Sequence, residues 1–285
     1  MLDENSLLDN YHQAPVVGYH RAPLSQKFGA PRQPNLVALT SVIEMLAPYD
    51  TPAAFDGLDK FSHIWVSWQF HHNYRYKNNN ETSSDFRAQV RPPRLGGNQK
   101  IGVFASRSMY RPSGLGLSVV KLEQVKIVQG RVLLIIKGAD MIDGTPIIDI
   151  KPYVAYSDAL IQTENGFAPT APELLNVTVT DAANEQFMML VSTGYTRSTH
   201  NNDTSIKDVN TGLINATVAS TIHRIQNQLI TSDMSIIKEL IAQDPRPAYR
   251  RIEIATPFVM RYKSVDVSFQ LIESGQLQII TVVTV

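Results

Sequence analysis

The chain has 285 residues, 43% hydrophobic and 18% charged, enough apolar side chain for one large or two modest cores. It contains no cysteine, which excludes disulfides, thiolate nucleophiles and cysteine-held zinc or iron–sulfur sites. Lys plus Arg and Asp plus Glu balance at 26 each, so no whole-protein cationic field is available, and a polyanion site must come from local clustering.

The stretch Met1 to Asn10 holds acids and amides without the basic start of a secretory signal, and no apolar run reaches the roughly 18 residues that span a bilayer. The expectation is a cytoplasmic protein with no membrane partner. Val16 to His20 is a short β run. Phe61 to Phe70 mixes aromatic and β-branched residues, as a largely buried strand does. A polar tract at 76–85 reads as an exposed loop. Ile101 to Ser106, Leu117 to Val125 and Arg131 to Lys137 read as further strands. Asp143-Gly144 reads as a turn joining Ala139–Ile142 to Ile147–Ile150. Short strands at this spacing favour a barrel or compact sandwich over a βαβ sheet.

The character changes after a boundary near 155–160. A second polar tract at 196–210 reads as a loop. Thr217 to Ile230 puts Ile222, Ile225 and Leu229 on one helical face. Met234 to Ala242 repeats the pattern, with Ser232 or Asp233 as a cap and Pro245 and Pro247 as the stop. Phe258 to Leu271 and Leu277 to Val285 then alternate like a hairpin around Ser274-Gly275. The predicted architecture is mainly β: an N-terminal β domain over 14–158 and a smaller α+β domain over 159–285.

Residues 86–122 carry Arg87, Arg91, Arg94, Lys100, Arg107, Arg111 and Lys121 with no Asp or Glu. In a neutral protein this is a candidate anion site, and arginine suits forked contacts to phosphate or carboxylate; the alternative is a solvated positive face. Gly114-Leu115-Gly116 fits neither a Walker loop nor a dinucleotide fingerprint. His71-His72 ends the aromatic strand, with His63 eight residues earlier on the same face of a regular strand. Metal binding lacks a third ligand at suitable spacing, leaving a polar contact or a structural histidine. Asp140, Asp143, Asp149 and Lys151 crowd one segment that suits acid–base work, ribose binding, or plain turn chemistry and pairing. Asp244-Pro245-Arg246-Pro247-Ala248-Tyr249-Arg250-Arg251 displays arginines and an aromatic ring on a stiff loop, which suits an unstacked RNA base or an ordinary helix stop.

Several spaced motifs together resemble the TsaA/TrmO family. They are Pro31-Arg32-Gln33-Pro34, Gly57-Leu58 before Phe61–Trp65, Phe70-His71, Val90–Arg94, Gly102–Ser108, Arg111-Pro112, Gly116-Leu117-Ser118, Asp143–Pro146, Asp149–Tyr153 and Asp244–Tyr249. The resemblance implies an S-adenosylmethionine-dependent tRNA methyltransferase with an N-terminal, non-Rossmann, cofactor-binding β-barrel. It implies methylation of N6 of N6-threonylcarbamoyladenosine at position 37 of threonine tRNA, by a homodimer; that no metal takes part is the expectation from the histidine spacing. Carried over by motif, the implied cofactor contacts are Pro31, Arg32, Gln33, His71, His72, Arg107, Leu117, Gly138, Ala139 and Asp140. His72 stands where many relatives have Gln, and Ser113-Gly114 where they have Asn-Pro.

Methyl transfer asks mainly for alignment of donor and acceptor, and needs no thiol. Arg91, Arg94, Arg111, Arg246, Tyr249 and Arg250 are the candidates for tRNA, with Arg246 or Tyr249 ordering the base edge as candidate catalytic groups and Asp140 helping to hold the cofactor. The competing reading is a non-catalytic RNA- or nucleotide-binding barrel, and a third is a hydrolase acting on a small anionic substrate through the Asp and His residues.

Overall fold

The computed structural model describes residues 12–72, 87–194 and 217–285. The two polar tracts at 76–85 and 196–210 and the first ten residues lie outside them. In the N-terminal part, strands β1 (Gly18–Arg21), β2 (Thr40–Met45), β3 (His63–Gln69), β6 (Leu115–Val128), β7 (Arg131–Lys137) and β8 (Pro146–Pro152) close into a barrel in the order β1-β2-β7-β6-β3-β8. Two short strands, β4 (Gln89–Val90) and β5 (Ile101–Gly102), pair outside it.

Alternation along each strand builds the barrel. Ile43, Met45, Ile64, Val66, Trp68, Val132, Leu134 and Ile136 face inward into one buried cluster. Their neighbours Val42 and Leu133 face the other way and form a second cluster with Val218 and Ile222. Those two belong to a helix of the C-terminal half, so the barrel's outer wall is covered by the later chain.

That half has β9 (Asn176–Val179), β10 (Phe258–Tyr262), β11 (Val265–Glu273) and β12 (Gln276–Thr284) in a sheet ordered β10-β11-β12-β9, with β9 parallel to β12. After a single turn α1 (Ala155–Asp158) come α2 (Asp181–Ser192), α3 (Val218–Asn227) and α4 (Asp233–Ala242). Thr217 and Ser220 cap α3 reciprocally, a capping box that fixes its start. The buried sheet face packs Val267, Phe269, Met260 and Leu277 with Phe187 of α2 and Ile237 and Leu240 of α4.

The segment between β1 and β2 joins this core as well. Leu24, Val37 and Leu39 are buried in it, and Phe28 stacks on Phe258 and Phe269 with centroids 6.4 and 6.2 Å away. Gly29, at φ +90°, lies against Met260, where a Cβ would come within 2.4 Å of the sulfur. The halves are thus interlocked in both directions: α3 lies on the barrel, and residues 24–39 lie on the C-terminal sheet.

Several elements differ from the sequence reading. The run 101–106 is a two-residue strand followed by a 3-10 turn at Val103–Ala105, which Ser106 closes by donating its N–H and its hydroxyl to Val103 O. Ala139–Ile142 is not a hairpin arm; β8 pairs with β1 and β3 instead, as closure of the barrel requires. The run 258–271 is two strands, broken at Lys263 with φ +51°. Asp233 is not a free cap. It is buried, accepts from Ile230 N–H at 2.8 Å, and pairs with Lys263 at 2.7 Å and the Tyr262 hydroxyl at 2.7 Å. His63 and His71 do not share a strand face, since β3 ends at Gln69.

Candidate functional site

One rim of the barrel collects most of the residues singled out by motif. The end of β3, the start of β6, the end of β7 and the start of β8 meet there because antiparallel pairing sets Trp68 opposite both Gly116 and Ile147. Gly116 is required at its position: a Cβ would lie 2.3 Å from the Trp68 ring. The indole fills that space, and its Nε1 donates to the buried Ser118 hydroxyl at 3.0 Å. Ser118 in turn donates to Asp140 Oδ1 at 2.6 Å. Burial pushes the Asp140 carboxyl up, against the opposing pull of the Ser118 bond and the charge of Arg107.

The Pro31–Gln33 segment is bolted to the same rim by Asn35. Asn35 sits in the left-handed region at φ +63°; its N–H donates to Gly138 O at 2.8 Å, and its Nδ2 donates to Val119 O at 3.0 Å. Gly138 is held at φ +82° with Asn35 Oδ1 where a Cβ would go. Arg107, exposed, donates to Gln33 Oε1 at 2.5 Å. Leu117 is 58% exposed beside them. The His71 and His72 rings pack at a 43° tilt with centroids 4.2 Å apart at the edge of the rim, and Lys27 donates to His72 O at 2.8 Å. Burial lowers the pKa of His71, and its neighbours His72 and Lys27 lower it further. Pro31, Arg32, Gln33, Arg107, Leu117, Gly138, Ala139 and Asp140 therefore form one neighbourhood, bordered by the two histidines.

The other basic residues divide. Arg111 donates to Ser106 O at 2.6 Å and braces its own loop. Arg94 is tied to Thr170, and the Arg87 guanidinium lies over the Tyr110 ring at 5.1 Å. Arg91 is exposed. A cavity of about 320 Å³ lined by Phe55, Leu58, Phe61 and Ile150 opens at the opposite end of β3 and β8, away from all of these.

The Asp244–Arg251 loop corrects one expectation. Arg246 is 1% exposed and is committed to Asp244 through Nε at 2.7 Å and Nη2 at 3.2 Å, so it holds the loop and does not reach a base. Tyr249 is 81% exposed, and Arg250 forks onto Glu253 at 2.7 to 3.0 Å. Arg32 Nη2 reaches Asp244 O at 3.4 Å, which puts this loop beside the Pro31–Gln33 segment.

Both halves of the chain match one family: residues 19–159 the tRNA-methyltransferase O N-terminal domain, and residues 213–285 the TrmO C-terminal domain. The chain belongs to the TrmO family. It is 35% identical over 257 residues, 90% of this chain and 91% of the other, to a putative S-adenosylmethionine-dependent methyltransferase RcsF of Pseudomonas aeruginosa. It is 34% identical over 239 residues, 83% of each chain, to the tRNA (adenine(37)-N6)-methyltransferase of Escherichia coli K12. The crystal structure of TrmO from Pseudomonas aeruginosa superposes with a TM-score of 0.66 at 26% identity, covering 96% of this chain and 98% of that one.

Within this TrmO-family rim, sequence reading missed Ser118 as a link and Asn35 as the bolt, and it named Arg251 only as one of the arginines the Asp244–Arg251 loop displays. Ser118 stood next to a chosen residue, but a buried serine carries no signal until its partners are placed. Asn35 directly follows the Pro31–Pro34 motif, and its left-handed backbone is a conformation that asparagine tolerates well.

Proposed function

We propose that this chain, a tRNA (adenine-N6)-methyltransferase dependent on S-adenosylmethionine, methylates N6 of N6-threonylcarbamoyladenosine at position 37 of threonine tRNA. The observation that carries the reading is the rim itself: an exposed apolar side chain, a partly buried carboxylate and an exposed arginine within one closed-barrel edge. That set suits an adenosyl group bearing a charged amino-acid tail. Leu117 offers a surface for the base, Asp140 an acceptor for a hydroxyl or amine, and Arg107 a partner for a carboxylate. When bound, S-adenosylmethionine supplies an electrophilic methyl group. The protein's task is to hold an acceptor amine in line and keep water away.

The contacts carried over by motif, Pro31 to Gln33, His71, His72, Arg107, Leu117 and Gly138 to Asp140, belong to this proposal. So do Arg91, Arg94, Arg111, Tyr249 and Arg250 toward tRNA, with Arg246 as support for its loop. The division into domains 14–158 and 159–285, a homodimeric state, a cytoplasmic location and a metal-free reaction complete it. Tyr249 is the group best exposed to stack on an unpaired base.

The test is transfer of a radiolabelled methyl group to purified threonine tRNA with and without the threonylcarbamoyl group. Label on the threonylcarbamoylated tRNA alone supports the proposal. Equal label on both, or on neither, removes the substrate assignment.

A further inference from the structure

Three guanidinium groups converge on Asp244, and one carboxylate cannot satisfy them. Arg246 takes both its oxygens, and Arg251 shares Oδ2 through Nε at 3.2 Å. The Asp244 main-chain carbonyl then receives Arg251 Nη2 at 3.2 Å and Arg32 Nη2 at 3.4 Å. Arg32 comes from the loop between β1 and β2, and Arg251 from the C-terminal loop, so two cations meet across the seam between the halves on a single carbonyl oxygen.

Around Asp244 three positive charges meet one carboxylate, and the next carboxylate, Glu253, is taken by Arg250. Arg246 Nη1 is buried with no hydrogen-bond partner, an orphan donor inside the same group. Arg32 has its remaining nitrogens uncommitted among the described residues and is exposed, and Arg251 is partly so. Partial loss of solvent around its guanidinium and the proximity of Arg251 lower the pKa of Arg32, against the opposing charge of Asp244. Gln33, next to Arg32, receives the hydrogen bond from Arg107, so the cluster adjoins the cofactor rim.

We propose that the Arg32 guanidinium serves the acceptor and not the cofactor, and that with Arg251, brought to it by Asp244, it forms a binding site for the carboxylate of the threonylcarbamoyl group on the acceptor adenosine. The proposal rests on the substrate proposed above. Planar forks from two arginines match a carboxylate in two-point contact, and an anion between them relieves their repulsion. Its place beside Gln33 puts the threonyl arm, which hangs from the very nitrogen to be methylated, next to the methyl donor. Asp244 is a positioning residue here, since it acts through the arginines. A phosphodiester of the tRNA backbone presents similar anion chemistry, and the experiment separates the two.

Methyl transfer is measured for the wild-type protein and Arg251→Gln on two threonine tRNAs. One carries threonylcarbamoyladenosine, and the other its threonine-amide analogue, in which the carboxylate is neutral. Wild type should lose roughly 10- to 100-fold in kcat/KM on the amide. Arg251→Gln should be slow on the carboxylate and show a ratio near one between the two tRNAs, with its affinity for S-adenosylmethionine intact as a check on the fold. If Arg251→Gln keeps the wild-type ratio, the proposal is overturned, and a uniform loss on both tRNAs points to phosphate. Wild type methylating neither tRNA defeats the substrate assignment instead. The site is then judged by the same ratio in tRNA binding, where equal affinity of wild type for both overturns it.

Discussion

The Ser118 hydroxyl lies between Trp68 and Asp140, accepting from the indole at 3.0 Å and donating to the carboxylate at 2.6 Å. A hydroxyl has one proton, so accepting from Trp68 leaves that proton for Asp140. The carboxylate is thereby fixed as the acceptor of the Ser118 proton at Oδ1.

Ser118→Ala should weaken S-adenosylmethionine binding by roughly tenfold. Burial already raises the Asp140 pKa and the Ser118 bond opposes that, so the loss raises it further. Affinity should therefore fail at a higher pH on acidification than in wild type. Ser118→Thr, which keeps the hydroxyl on a strand, should restore the profile. Calorimetric titrations across pH test this, and an unmoved midpoint would sink it.

His20 is fully buried between the Ser41 hydroxyl at 2.7 Å and the Ile142 carbonyl at 3.1 Å. Burial lowers its pKa from 6.5 to about 4. Between those values the unfolded chain binds the extra proton, so the stability contribution is full above about pH 6.5 and declines as pH falls toward 4. The loss amounts to about 3 kcal/mol, from a gap of 6.5 to about 4 at roughly 1.4 kcal/mol per unit. Urea unfolding as a function of pH should show this slope, and His20→Gln should flatten it.

Leu24 lies in the barrel half of the sequence but is fully buried in the C-terminal core. Leu24→Ala should destabilise by about 2–5 kcal/mol and lower the unfolding of both halves together. A fragment holding only residues 159–285 lacks Leu24, Phe28, Val37 and Leu39. It should bind a hydrophobic dye and unfold without cooperativity; a sharp transition in that fragment would contradict the interlock.

Asp244→Asn leaves the buried Arg246 guanidinium without its counter-charge. The expected cost is about 3–5 kcal/mol, seen as a lowered denaturation midpoint. Adding Arg246→Met should recover part of that stability, because the orphaned charge is then gone.

Much of the strand inventory was legible because period-two burial writes itself into sequence: Ile64, Val66 and Trp68 alternate as the barrel demands. The helix at 218–227 was legible through its apolar face and its Thr217 start. β2 and β9 were missed; β2 is an unbroken apolar run inside the barrel wall, buried at three successive positions, so it shows no clean alternation, and β9 has only four residues. The Arg-rich stretch was legible as charge, but not as a division of labour. Arg111 braces a loop, Arg107 holds Gln33, and Arg87 covers a ring, and these differences rest on partners far away in the chain.

The sequence by itself determined the family, through motifs whose order and spacing are local, and the strand character of the N-terminal half, through alternation. Only the tertiary structure decided that residues 24–39 serve the other half's core, that Arg246 is buried, and that Arg32 and Arg251 meet across a seam. The reason is distance along the chain: Arg32 and Asp244 are separated by 212 positions, and no periodicity or propensity records a contact of that kind. It exists only once closing the barrel and packing the sheet have brought the two loops to the same place.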